Sequence, residues 1–321
     1  MKLVDIHHHF LPREYALKWS GSGQLPPGLR LPPWDIDAAL SFLNEHGIQT
    51  AILSLSAPGL GIASSPEEAQ SLARMCNEYA AKLKNAHPDR FGFFATVPLG
   101  DISTGLEELK HAFDVLGADG VTLFTSYGGR YLGSSDFKAL WYELDQRKAV
   151  VFVHPSLPMQ PGDGYEGMLP PPLVDFPHET TRAAVNLITC NTVRDYPNCK
   201  IILSHGGGTL PYVATRIAHL AVDAGLLAGK TPDDVLADAK SFYFDVALTS
   251  FTDPLELLTR FAREDHILWG SDYPFARPNS IRKQLEQFAV SDITPASRAS
   301  IAYGAAIALF PRLRSVLHHS L

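Results

Sequence analysis

Short apolar runs rich in β-branched and aromatic residues recur along the 321-residue chain at 3–6, 51–55, 91–97, 120–124, 150–153, 201–203, 242–246 and 267–269. Between them lie segments of helical periodicity at 36–46, 66–86, 104–116, 137–147, 180–196, 210–224 and 254–262. Strands that alternate with helices build βαβ units and a parallel sheet. Eight such strands are the complement of a (β/α)8 TIM barrel, an α/β fold that accommodates a chain of this length as one domain over residues 1–321. Helix starts are marked by Ser65-Pro66-Glu67-Glu68, by Ser134-Ser135-Asp136 and by Thr252-Asp253-Pro254. Two connections exceed plain barrel loops: 10–33, rich in Pro and Gly, and 155–177, with Pro170-Pro171-Pro172. Both follow strands, so both are expected above the C-terminal mouth as lid and pocket walls.

The polar residues that finish the strands carry the chemistry. Asp5-Ile6-His7-His8-His9 ends the first strand, His154-Pro155 the fifth, Ser204-His205-Gly206 the sixth and Ser271-Asp272 the eighth. Alternate side chains of a strand share a direction, so His7 and His9 can enter the mouth together while His8 points away. Imidazoles and a carboxylate suit one borderline divalent ion, zinc first, with manganese or iron also tolerated. A tag remnant or chance polar run at His7-His8-His9, a core histidine at His154 and a helix- or turn-capping Asp272 would explain each motif alone but not their joint placement at strand ends. His205 precedes Gly206-Gly207-Gly208, a flexible turn, and can act as a general acid or base, the alternatives being a fifth ligand or a structural histidine. Asp245, at the end of the seventh strand, either orients His205 or another ligand, or caps the next helix. The remaining histidines, among them His46, His87, His111, His219, His266, His318 and His319, are assigned to surface or packing.

Composition narrows the partners. A net charge of −7 with scattered Lys and Arg offers no field for nucleic acid. Cys76, Cys190 and Cys199 lack CxxC spacing and are expected to be plain thiols. The N-terminus reaches charged and His residues before any signal-like apolar stretch, and no long uncharged apolar run suggests a membrane span. A cytoplasmic homodimer acting on a small molecule is expected.

The set D-I-H-H-H-F-L-P at 5–12, V-H-P at 153–155, S-H-G-G-G at 204–208 and G-S-D-Y-P-F at 270–275 resembles the aminocarboxymuconate-semialdehyde decarboxylase-like branch of the amidohydrolase superfamily. Trp34-Asp35 before a helix ending at His46-Gly47, and Glu179-Thr180-Thr181, look similar too. The resemblance implies that His7, His9, His154 and Asp272 hold the metal, that His205 is the catalytic histidine, with Asp272 sharing proton transfer, and that Phe275 touches substrate. Where muconate-semialdehyde decarboxylases place a substrate-side tryptophan, this chain has the run Pro170-Pro171-Pro172, so the aminomuconate substrate is not expected. The branch also decarboxylates hydroxybenzoates such as γ-resorcylate and 6-methylsalicylate. Strand four offers no lysine or acid to bridge two metals, so one metal is expected.

The reaction read from these residues is non-oxidative release of CO2 from a small aromatic or unsaturated carboxylic acid, foremost a 2-hydroxybenzoate such as 6-methylsalicylate. Addition of water before CO2 leaves is a compatible variant. Metal-assisted hydrolysis of an amide or lactone is the alternative, and a metal-binding sensor or scaffold the rival from another class.

Overall fold

The computed structural model describes residues 2–25, 30–157 and 169–318. Eight parallel strands form one sheet in chain order: β1 (Leu3–His9), β2 (Ile48–Ser54), β3 (Phe91–Thr96), β4 (Gly120–Phe124), β5 (Val150–His154), β6 (Lys200–Leu203), β7 (Tyr243–Asp245) and β8 (Ile267–Leu268). The strands are buried almost throughout, as Gly-Val-Thr-Leu-Phe in β4 and Val-Val-Phe-Val-His in β5 show. Near-continuous apolar strands are the sign of a parallel sheet covered on both faces. The ring closes where Ile6 N–H donates to the Trp269 carbonyl (3.1 Å), Asp272 N–H to that of His7 (2.9 Å) and His9 N–H to that of Tyr273 (2.7 Å). The fold is a (β/α)8 barrel.

Helices α1 (Arg13–Gly21), α2 (Ile36–Glu45), α3 (Pro66–Ala86), α4 (Ile102–Asp114), α5 (Lys138–Gln146), α6 (Asp175–Thr189), α7 (Thr192–Asp195), α8 (Leu210–Asp223), α9 (Pro232–Ser241), α10 (Thr252–Phe261) and α11 (Pro278–Val290) lie between the strands or follow the last. Asp35 caps α2 by accepting from the Ala38 N–H, and Ser65 caps α3 by accepting from that of Glu68. The expected cap at 252–254 is not built: Thr252 is already the first residue of α10, and its predecessor Phe251 makes no side-chain cap. The single helix expected over 180–196 is two, because Asn191 adopts a left-handed φ of 62° after α6.

Two cores stack along the barrel. A large one fills the space between strands and helices. The smaller joins Val4, Ile6, Phe94, Phe152, Ile202 and Leu268 inside the ring to Ala306, Phe310 and Leu313, so the C-terminal segment plugs the N-terminal end of the barrel. The opposite end is polar. The connection after β1 contains α1, whose Tyr15 and Trp19 are buried; that after β5 contains a 3-10 turn at Pro171–Leu173, while residues 158–168 of this expected lid lie outside the described set. At the turn after β6, Gly208 has φ 64°, and a Cβ there would collide with the Pro177 carbonyl oxygen. Glycine lets the backbone leave the barrel tightly against α6.

Candidate metal centre

Strand β1 carries the first two donors. Val4 and Ile6 face the inner core, and strict alternation would send His8 after them. A register irregularity between Asp5 and His8 resets the alternation, as a bulge does. His7 and His9 therefore point into the mouth, their Nε2 atoms 3.0 Å apart. His8 is turned away as expected: its Nδ1 meets Asp5 Oδ2 at 3.0 Å, and its ring lies 4.8 Å from that of Tyr273.

His154, last in β5, brings its ring to 4.9 Å from that of His9 and 5.4 Å from that of His7. Asp272, beyond β8, sets Oδ1 3.4 Å from His7 Nε2 and 3.2 Å from His9 Nε2. One donor atom from each of His7, His9, His154 and Asp272 lies within 4.8 Å of all the others, and all four residues are buried. The four expected ligands thus come together.

The nitrogens facing away from the cluster decide what it can hold. His7 Nδ1 meets Asp245 Oδ2 at 2.9 Å, His9 Nδ1 meets the Ser54 carbonyl at 3.1 Å, and His154 Nδ1 meets the Pro155 carbonyl at 2.8 Å. Carbonyls and a carboxylate accept, so each Nδ1 donates the ring's proton and each Nε2 presents a lone pair. Three lone pairs and a carboxylate oxygen then converge in a buried volume. A cation satisfies all four at once, and the residues fit a divalent metal.

Electrostatics agree. Burial works against a charged imidazole at His7, yet Asp245 and Asp272 outweigh it and raise its pKa to about 10. Burial lowers His9 and drives His154 well below the ordinary histidine value, with neighbouring imidazoles adding to the fall at His154. Burial also resists ionisation of Asp272, but hydrogen bonds and charge from His7 and His9 hold its carboxyl well below the usual range. Asp245 and Asp272 thus call for one positive charge at His7: a proton on Nε2 meets that demand, and a divalent cation would take its place, while His9 and His154 stay neutral, the state metal ligation requires.

His205 stands beside this set rather than within it. Its ring is 4.9 Å from that of His7 and 6.0 Å from that of His154, and its buried Nδ1 finds no hydrogen-bond partner among the described residues. Burial, then the nearby His7, lowers its pKa to about 4. Both His205 (φ 54°) and Asp272 (φ 60°) adopt left-handed backbone, costly for residues with a Cβ and concentrated at working sites.

Asp245 settles its two alternatives by geometry. Besides holding His7, its Oδ1 accepts from the His205 N–H (3.1 Å) and the Ala247 N–H (2.9 Å), so it positions the backbone of one histidine and the ring of another and does not cap α10. Asp245→Asn can keep the two Oδ1 contacts but presents an amide where His7 Nδ1–H needs an acceptor. Metal affinity in chelator competition is expected to fall about 10–100-fold with the fold retained; unchanged affinity would remove Asp245 from the centre.

Three residues escape sequence reasoning. Asp5 is fully buried and clasps β1 to the end of β8, accepting from Ser271 N–H (2.9 Å), Ser271 Oγ (2.6 Å) and His7 N–H (3.2 Å). Trp19 of α1 packs 6.1 Å from Phe275, whose ring stands edge-on to His9 at 5.5 Å, so α1 and the loop after β8 build one aromatic wall beside the cluster. Phe124 packs on His154 from the other side, 6.0 Å between rings. An acid two residues before a histidine pair hinted at Asp5; nothing local marks the other two.

The amidohydrolase family model matches residues 4–312. The chain belongs to the amidohydrolase family. Among curated relatives, this amidohydrolase is 45% identical over 326 residues to Decarboxylase macB of Penicillium terrestre, covering 98% of this chain and 96% of that protein. It is 40% identical over 320 residues to the 6-methylsalicylic acid decarboxylase of Penicillium expansum, covering 99% and 98%. A dihydroxybenzoic acid decarboxylase from Polaromonas sp. JS666, crystallised with bound manganese and the inhibitor 2-nitroresorcinol, superposes with a TM-score of 0.85 at 27% identity over 97% of each chain. In this amidohydrolase β4 is followed by Thr125, whose hydroxyl meets that of Ser156 at 2.8 Å, so no bridging lysine or acid stands there. No helix among the described residues is long and apolar enough to cross a membrane.

Proposed function

We propose that this amidohydrolase is a metal-dependent, non-oxidative decarboxylase of small aromatic carboxylic acids, its substrate a 2-hydroxybenzoate such as 6-methylsalicylate. The observation that carries the reading is a buried His7–His9–His154–Asp272 cluster with, at its side, His205, whose Nδ1 has no partner among the described residues, in a chain similar along its length to decarboxylases. Zinc suits three imidazoles and a carboxylate, and manganese, present in the Polaromonas enzyme, is the other candidate. We read the whole chain as one domain and its assembly as a cytoplasmic homodimer, which solution mass and cell fractionation would check.

A bound divalent ion would supply Lewis-acid chelation of the substrate's carboxylate and adjacent phenol oxygen, drawing off negative charge. The protein supplies the rest. Phe275, backed by Trp19, offers an apolar wall for an aromatic ring and excludes water. His205, neutral and with Nδ1 uncommitted, faces the chamber where a proton must be delivered. As CO2 departs, the electron pair of the broken C–C bond stays on the ring carbon, and one solvent proton, handed on by His205 or Asp272, takes the vacated position.

Mass balance tests this. With metal-loaded protein in D2O, 6-methylsalicylate is expected to yield CO2 and 3-methylphenol bearing one deuterium at the former carboxyl position, read by mass spectrometry and NMR. If 2-hydroxybenzoates release no CO2 while amides or lactones are opened by the same preparation, the enzyme is a hydrolase.

A further inference from the structure

Phe124, the last residue of β4, is fixed on several sides. Its ring stands edge-on to His154 at 87°, its N–H donates to Tyr127 Oη at 2.8 Å, and the ring lies so close to Gly59 (φ 58°) that a Cβ there would collide with it. The same ring lines a cavity of about 970 Å³. The loops after β2, β3, β4 and β5 wall that cavity through residues such as Leu60, Ala63, Val97, Tyr127 and Ser156. Neither the four clustered ligands nor His205 lines it. Among the described residues, Phe124 is the lining side chain whose ring packs on a histidine of the cluster, His154. The space is at the upper end of what small-molecule sites use, about 300–1,000 Å³. A single-ring acid held at the cluster has no need of it.

The charge of the cavity restricts its occupant. Arg130, mostly exposed at the cavity edge, is already paired with Asp136, while Asp101 and Glu67 add negative charge. An anionic group is disfavoured and an uncharged chain is not.

We propose that Phe124 is a specificity-determining partition: it separates the substrate chamber from a latent tail site and so limits the aromatic acid to small ring substituents, the cavity being able to take an alkyl chain once the ring is removed. The inference rests on the decarboxylase reading for the identity of the headgroup, and its test separates the two. Phe124→Ala and the milder Phe124→Leu are compared with the native protein on 6-methyl- and 6-pentyl-2-hydroxybenzoate, and on the 4-alkyl pair. The pentyl-to-methyl ratio of kcat/KM is expected to rise on the order of 10-fold or more in Phe124→Ala at one of the two positions, since a few methylenes in an apolar pocket discriminate on that scale. Adding Ala63→Phe, which fills the cavity away from the metal, should return the ratio toward the native one. A ratio unmoved at both positions in either metal-loaded Phe124 variant overturns the partition. Calorimetric binding of 3-pentylphenol against 3-methylphenol reads the same step without turnover: a gain for the pentyl compound in the variant supports the partition, and no gain overturns it. Native protein that decarboxylates none of these acids counts against the proposed function instead.

Discussion

His205→Ala is expected to retain about one divalent ion per chain and to lose on the order of 10² or more in kcat, the scale of a positioned acid or base. The reason is positional. His205 lies against His7 but outside the four converging donor atoms, and its Nδ1 serves no other residue among those described. Removing the ring takes nothing from the four converging donors and removes one of the two groups placed to hand on the proton. Metal content by mass spectrometry and single-turnover rates, measured on the same sample, check both halves. Should the metal be lost together with activity, His205 is a fifth ligand.

His9→Ala is expected to empty the centre. Its Nε2 is the donor closest to two others, 3.0 Å from His7 Nε2 and 3.2 Å from Asp272 Oδ1, and loss of one imidazole opens a tetrahedral or five-coordinate site to water. Bound metal after dialysis should drop sharply from about one ion per chain, and decarboxylation should fall to the background rate. Native protein carrying two tightly held ions would contradict a mononuclear centre.

Much of this was legible beforehand, for physical reasons. Periodicity locates β4 at Gly120–Phe124 and α3 at Pro66–Ala86 to the residue, because β4 is buried along its length and α3 has a Ser-Pro-Glu-Glu start. The four clustered donors were legible because the C-terminal strand ends of a barrel converge on its mouth, and a strand end is visible where an apolar run stops at His or Asp. Less visible were features set by the tertiary structure. Helix α1 hides in a Pro- and Gly-rich stretch and buries Tyr15 and Trp19, while Lys18 pairs with Glu68 of α3. The break at Asn191 depends on a single left-handed residue inside a helical pattern. The inward turn of His7 depends on an irregularity in the β1–β2 register, and the aim of His205 and Asp272 on positive φ values that their side chains do not advertise. Asp245 could be assigned only once His7 and the His205 backbone were seen to share it.

The closure of the ring through β1 and the residues after β8 gives the cluster an order of assembly. Two of its donors, His7 and His9, come from the first strand and one, Asp272, from beyond the last, about as far apart along the chain as a barrel allows. Joining such distant segments is among the slowest events in folding, because a long loop must close before any contact rewards it. No partially folded chain that lacks this seam can present the four donors together. Capture of a divalent ion at these donors would thereby report that the ends have met, and the ion would be a rivet through the very junction at which an open sheet would otherwise begin to unroll.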